Sequence, residues 1–242
     1  MALNTAFTLS AWVDDTTTGE STVVSADYRI NDASWLAMTA SDGAFNSAIE
    51  AVTATLAGGL PTGVHQLCVR GIDAAGNEST PACTLLAVYD PSAGFVTGGG
   101  WIDSPAGAYV PDTTLTGRAN FGFVAKYKKG ANVPTGQTNF QFQTAELHFH
   151  SDTLDWLVVS GAKAQFKGTG TINGQGNYGF KLTAIDAALT NSSDTDLFRI
   201  KIWNRNNGDA VVYDNELAVD DGADPTTAIG GGSIVIHKPK GK

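Results

Sequence analysis

The chain has 242 residues, a formal net charge of −9, 42% hydrophobic and only 16% charged residues, with 28 Gly, 27 Thr and two Cys. Soluble domains average about 25% charged and about 7% Gly, and Thr with Gly suits strands and turns better than helices. An all-β protein is therefore expected, long enough for one large or two ordinary domains with a core that needs no staple. The acidic balance supplies no basic patch to neutralise phosphates, which argues against a nucleic-acid partner. No apolar run approaches the roughly 18 residues of a membrane span, so no membrane insertion is expected. No cationic-then-apolar signal opens the chain, whose Met1-Ala2 start reads as trimmed.

The charge is not evenly spread. Residues 1–90 hold two cations, Arg29 and Arg70, against ten Asp and Glu; residues 91–242 hold thirteen Lys and Arg against fourteen. The net charges are −8 and −1. With the Pro/Gly/Ser-containing stretch Tyr89 to Gly94, this shift places a domain boundary at Asp90, giving domains 1–90 and 91–242.

In the first domain Phe7, Leu9, Ala11 and Val13 alternate with other residues, the period of a half-buried strand. Further strands are expected at Val23–Ile30, Val52–Leu56, Val64–Ile72 and Cys83–Val88, with Trp12 and Trp35 as core anchors. This spacing suggests an Ig-like β-sandwich. The run Cys68-Val69-Arg70-Gly71-Ile72-Asp73-Ala74-Ala75-Gly76-Asn77 resembles the final hairpin of bacterial Ig-like and fibronectin-III-like modules. The resemblance implies a spacer in a secreted or cell-surface protein. Cys68 and Cys83 flank the turn at Ala75-Gly76 almost symmetrically, opposite each other on adjacent strands. That permits a disulfide if the side chains share a face, with two separate thiols as the alternative. A bridge would imply an oxidising compartment.

The second domain shows ten candidate strands. They are Phe95–Ile102, Gly117–Tyr127, Thr138–Thr144, Glu146–Ser151, Trp156–Gly161, Ala164–Ile172, Tyr178–Asp186, Leu197–Trp203, Ala210–Tyr213 and Ser233–His237. A larger β-sandwich or jelly-roll-like domain is expected. Five stretches in order carry a second resemblance: Thr97-Gly98-Gly99-Gly100-Trp101-Ile102, Gly117 to Phe123, Asp196 to Trp203, Val211 to Asn215, and Gly230 to Lys238. Together they resemble the post-COAP-1 domain, a β-rich module of bacterial extracellular proteins. The likeness spans about 95–238 and implies an extracellular accessory role without catalytic residues to carry over.

Three sets of residues could carry chemistry. Glu146, His148 and His150 alternate with Leu147 and Phe149, so one strand face could offer a transition metal two imidazoles and a carboxylate. With Asp155 and Gly161 this partly resembles a cupin, although Asp stands where cupins carry Glu and no second His motif follows. A solvent-facing polar strip is the simpler reading. Calcium is the better metal candidate, because Asp214, Glu216, Asp220, Asp221 and Asp224 crowd one loop and Asp194 and Asp196 another. Packed carboxylates repel, and a cation would neutralise them and order the loop. Asp14, Asp15, Asp42, Glu50 and Asp73 form a weaker acidic set in the first domain.

Catalysis has little support, since no nucleophile elbow, zinc-protease helix or phosphate-binding glycine loop occurs. Exposed aromatics could instead stack on sugar rings. Trp101 and Trp203, with Asn204 and Arg205 beside the latter, are the candidates for binding polysaccharide. The composite expectation is a non-enzymatic extracellular module with a spacer, adhesion or matrix role, calcium-stabilised, whose partners are polysaccharide or neighbouring surface-protein domains. A calcium-assisted carbohydrate-binding module is the alternative and a cupin-like metalloenzyme a distant third.

Overall fold

The computed structural model describes residues 1–190 and 195–239. They form two compact all-β units, and the chain passes from one to the other between Val88 and Tyr89, two residues before the expected boundary.

The first unit has seven strands: β1 (Phe7–Asp14), β2 (Val23–Ile30), β3 (Leu36–Ala37), β4 (Thr39–Ala40), β5 (Ile49–Leu56), β6 (Gly63–Asp73) and β7 (Ala82–Val88). They build two antiparallel sheets, ordered β1-β5-β4 and β3-β2-β6-β7. Taken in chain order, this is an Ig-type arrangement in which β1, β5 and β4 stand as B, E and D, and β2, β6 and β7 as C, F and G. Ala26, Met38 and Val52 form the buried centre, with Leu9, Ala11, Val13 and Val69 packed partly buried against it.

The two tryptophans are not core anchors. Leu9, Ala11 and Val13 hold the inward phase of β1, so Trp12 points outward and is 74% exposed. Trp35 is half-buried outside the core. The guanidinium carbons of Arg29 and Arg70 lie 4.8 and 4.5 Å from its ring centre, so the domain's two cations both sit on this one ring. Cys68 and Cys83 stand directly opposite in the β6–β7 ladder and are joined by a disulfide.

The acidic side chains of this unit build turns. Asp14 accepts hydrogen bonds from the Thr16 hydroxyl and N–H, which hold its carboxyl below the usual range. Asp73 accepts from the side chain and N–H of Asn77, with the same effect. Glu50, buried, takes the Asn46 and Ser47 amides at 2.7 Å each.

The second unit has nine strands: β8 (Phe95–Ser104), β9 (Gly117–Tyr127), β10 (Pro134–Phe142), β11 (Leu147–Ser160), β12 (Lys163–Ile172), β13 (Gln175–Ile185), β14 (Leu197–Asn204), β15 (Ala210–Asp214) and β16 (Gly231–His237). Two of the expected strands, Glu146–Ser151 and Trp156–Gly161, are the single β11. Its pairing with β12 shifts register between Ser151 and Thr153 and again between Leu154 and Trp156, which bends the strand without ending it.

All nine strands belong to one antiparallel sheet, ordered β15-β14-β13-β12-β11-β10-β9-β8-β16. It is a meander rather than the interlocked Greek keys of a jelly roll. The sheet rolls up, so the facing layers are its own two halves. Phe121 on β9 stacks on Phe198 of β14 with ring centres 4.1 Å apart, although five pairings separate those strands. Phe140, Phe166, Phe180 and Leu182 complete a dry centre.

A rolled sheet must deal with its two edges. Here side chains supply the closure. Asp196 accepts the Ile234 amide of β16 at 2.6 Å with one carboxylate oxygen and the Ala187 amide at 2.8 Å with the other. Asp186 likewise accepts Ile236 N–H at 2.8 Å and Ala188 N–H at 3.0 Å. The two carboxylates thus take the place of a neighbouring strand along β16. A short bridge between Leu197 and Ala228 completes the seal.

Candidate functional site

The acidic loop that follows β15 lies over the outer face of β12, β13 and β14. Alternation on those strands sends Phe166, Leu182, Phe198 and Ile200 inward and presents Lys163, Gln165, Lys167, Lys181, Thr183, Arg199 and Lys201 outward. In register, Lys181 faces Lys167 on one side and Lys201 on the other, while Thr183 faces Arg199. Five cations on adjacent strands would repel one another in water-poor surroundings. The loop meets this charge with anions and carbonyls.

Arg199, 4% exposed, holds Asp214 in a two-pronged pair, with Nε to Oδ1 at 3.0 Å and Nη2 to Oδ2 at 2.9 Å. Its remaining donors reach the Asp220 carbonyl at 2.8 Å and the Val219 carbonyl at 3.0 Å. Burial alone would lower the Arg199 pKa, but the Asp214 hydrogen bonds and charge reverse that and raise it. Lys201 pairs with Asp221 at 2.7 Å and Lys163 with Asp224 at 2.7 Å. Lys181 donates to the Asp221 carbonyl. Glu216, buried, accepts four hydrogen bonds on Oε1 from the amides and hydroxyls of Thr226 and Thr227. Its Oε2 is buried without a hydrogen-bond partner. Asp220 accepts the Gly222 amide at 2.7 Å.

Of the five loop residues expected to bind calcium, the structure pairs Asp214 with Arg199, Asp221 with Lys201 and Asp224 with Lys163, while Glu216 and Asp220 accept hydrogen bonds from the loop itself. Asp196 is apart from them, engaged in closing β16, and Asp194 lies outside the described residues. Among the described residues, no group of three or more His, Cys, Asp or Glu side chains is placed to hold a metal ion. The charge-neutralising task that suggested calcium is carried by Lys163, Lys181, Arg199 and Lys201. These cations gave no signal in the sequence, because single lysines alternating with apolar residues look like any solvated strand face. The feature that marks them is their recurrence on three successive strands.

Burial pushes the Lys181 ammonium down to about 8, with Asp221 opposing the shift and Arg199, Lys163 and Lys201 adding to it. The unfolded chain keeps this proton up to about pH 10.4, so between those values the unfolded state binds more protons than the folded one. Stability from this group thus rises with pH. Chemical unfolding at pH 8 and 9.5 should show a gain of about 1–2 kcal/mol that Lys181→Met lacks. Above pH 10 the half-buried Tyr127 and the buried Tyr213, whose phenols are both raised, act in the opposite direction.

The Glu146, His148 and His150 set does not form as expected. Glu146 is left-handed at φ 50° and ends the 3-10 turn Gln143–Ala145, so it precedes β11 instead of sharing its face. His148 and His150 do share the exposed face, with Leu147 and Phe149 buried beneath. His150 Nδ1 lies 2.7 Å from Asn139 Oδ1.

Two aromatic rings lie flat on glycine. A Cβ at Gly230 would come within 2.1 Å of the Trp101 ring, and one at Gly179 within 2.3 Å of the Trp203 ring. Arg118 lies 4.5 Å from the Trp101 ring centre and Lys167 5.6 Å from that of Trp203. Trp203 is half-buried and Arg205 exposed; Arg205 reaches Asn177 at 3.4 Å, and Asn204 accepts the Asn206 amide at 3.0 Å.

No family model, curated protein or solved structure matches the chain. No helix among the described residues is long and apolar enough to cross a membrane.

Proposed function

We propose that the chain is a non-enzymatic module of a bacterial secreted or cell-surface protein, with a spacer, adhesion or matrix role. In this reading an Ig-like domain precedes a post-COAP-1-like domain. The observation that carries it is the use made of polar side chains. Asp186, Asp196, Asp214 and Glu216 are spent on backbone amides and on Arg199, an investment in holding a shape. The Cys68–Cys83 bridge is compatible with an oxidising compartment.

A second reading, a calcium-assisted carbohydrate-binding module, is favoured by the flat Trp203 ring with Arg205 and Asn204 beside it. Binding to a polysaccharide panel, in calcium and in EGTA, separates the two. A spacer retains no glycan in either buffer. Binding lost on Trp203→Ala would support the second reading instead. The melting temperature is expected to agree within 1 °C, roughly the resolution of a melting scan, between millimolar calcium and EGTA, because Arg199, Lys201 and Lys163 already pair with Asp214, Asp221 and Asp224 of the acidic loop. A rise of several degrees in calcium would overturn that part of the account.

A further inference from the structure

The first unit leaves one side of its sandwich open. β1 is an edge strand, laddered to β5 alone, and β7 is the edge of the other sheet, laddered to β6 alone, with the Met1 amino group donating to its Ala87 carbonyl near the C-terminal end of the strand. No ladder joins β1 to β7. Between them lies a cleft of about 500 Å3, lined by Leu9, Ala11 and Val13 from one sheet and Leu67, Val69 and Cys83 from the other. The inward side chains of β1 are all only half-buried, whereas their counterparts Val52 and Leu56 on β5 are fully buried. The sandwich narrows at one end, where a Cβ on Gly71 would meet Val13 at 2.2 Å.

The outer edge of β1 also lacks the features that usually discourage strand pairing. Its eight residues, Phe7–Asp14, contain no Lys and no Pro, alternate regularly and carry no register shift against β5. An edge strand offers a row of backbone donors and acceptors, and the cleft beside it offers apolar seats for every second side chain. That is the recognition mode of strand addition.

Charge selects the occupant. Residues 1–90 contain ten Asp and Glu and two Arg, and Arg70 is already committed to Asp27 at 3.1 Å and Glu78 at 2.6 Å. A second copy of this unit would bring the same excess of negative charge to the contact. We infer that the β1–β7 cleft receives an extended strand of a separate, basic polypeptide, with apolar residues alternating inward and Lys or Arg outward. This goes beyond the spacer reading and does not depend on it.

The test uses the full chain and a blocked nine-residue peptide of alternating Lys and Val. Amide exchange of Phe7–Val13 should slow at least tenfold at saturation, and the peptide should bind with Kd below about 100 μM, weakening as salt screens the charges. A photo-reactive residue at its centre should crosslink to 7–14 or 79–84. Leu9→Lys, placing a cation in the cleft, should reduce binding at least tenfold; should that variant fail to fold, the crosslink map on the unaltered chain decides. A Glu-Val peptide binding equally well, crosslinks elsewhere, unchanged exchange in β1, or self-association through this edge would each overturn the inference.

Discussion

Asp196→Ala should destabilise the second domain by about 2–5 kcal/mol, because it strands two backbone amides at once. Ile234 N–H and Ala187 N–H both end on this carboxylate, at 2.6 and 2.8 Å. Ile234 has no second strand to pair with, since β16 is an edge of the sheet, and Ala187 opens the 3-10 turn Ala187–Leu189, outside any strand. For a domain of this size each kcal/mol moves the midpoint by about 2–4 °C, so a fall of roughly 5–15 °C is expected in a thermal melt. Asp196→Asn keeps one acceptor oxygen and should cost about half as much. Asp186→Ala should behave similarly, losing Ile236 and Ala188. An Asp196→Ala protein that melts with the unaltered chain would remove the carboxylates from the closure of the sheet.

The second large effect is expected at the buried pair under the loop. Arg199→Met leaves the Asp214 carboxylate, 2% exposed, without its partner and should cost about 3–5 kcal/mol. The charge would be buried and uncompensated. Removing both charges together, as Arg199→Met with Asp214→Leu, should cost less than either single change, because two well-packed apolar groups avoid that penalty. Urea unfolding of the three variants measures the coupling directly. If the double variant lost the sum of the single losses, the pair would not act as a unit.

These two effects show where sequence reasoning reaches and where it stops. Alternation of apolar residues located the strands closely; Gly117–Tyr127 and Val23–Ile30 coincide with β9 and β2. The disulfide was legible because its two cysteines flank one turn. β11 was not legible as one strand, since Asp152 and Asp155, exposed at its irregularities, interrupt the apolar pattern as a turn would. Trp12 has the size of a core residue, but its phase on β1 puts it outside, and ring size does not override phase.

The acidic residues were found as a cluster, but their partners were not. Asp196 meets Ile234 thirty-eight residues away, and Asp186 meets Ile236 fifty residues away. No local spacing encodes such pairs. Backbone amides carry no residue signature, so a carboxylate that caps a strand looks the same in sequence as one awaiting a metal. Arg199 and Lys201 were visible only as residues of an apolar strand, and became partners of the loop once the meander set β12, β13 and β14 side by side.

The central claim is that carboxylates stand in for a missing strand along β16. Amide hydrogen exchange of Ile234 and Ile236 tests it most directly, in the unaltered chain and in Asp196→Ala. The account predicts that both amides are protected on the scale of the domain core, and that Ile234 loses at least a hundredfold of its protection in the variant, about 2.7 kcal/mol. Exchange of both amides at the rate of an open edge in the unaltered chain would contradict it.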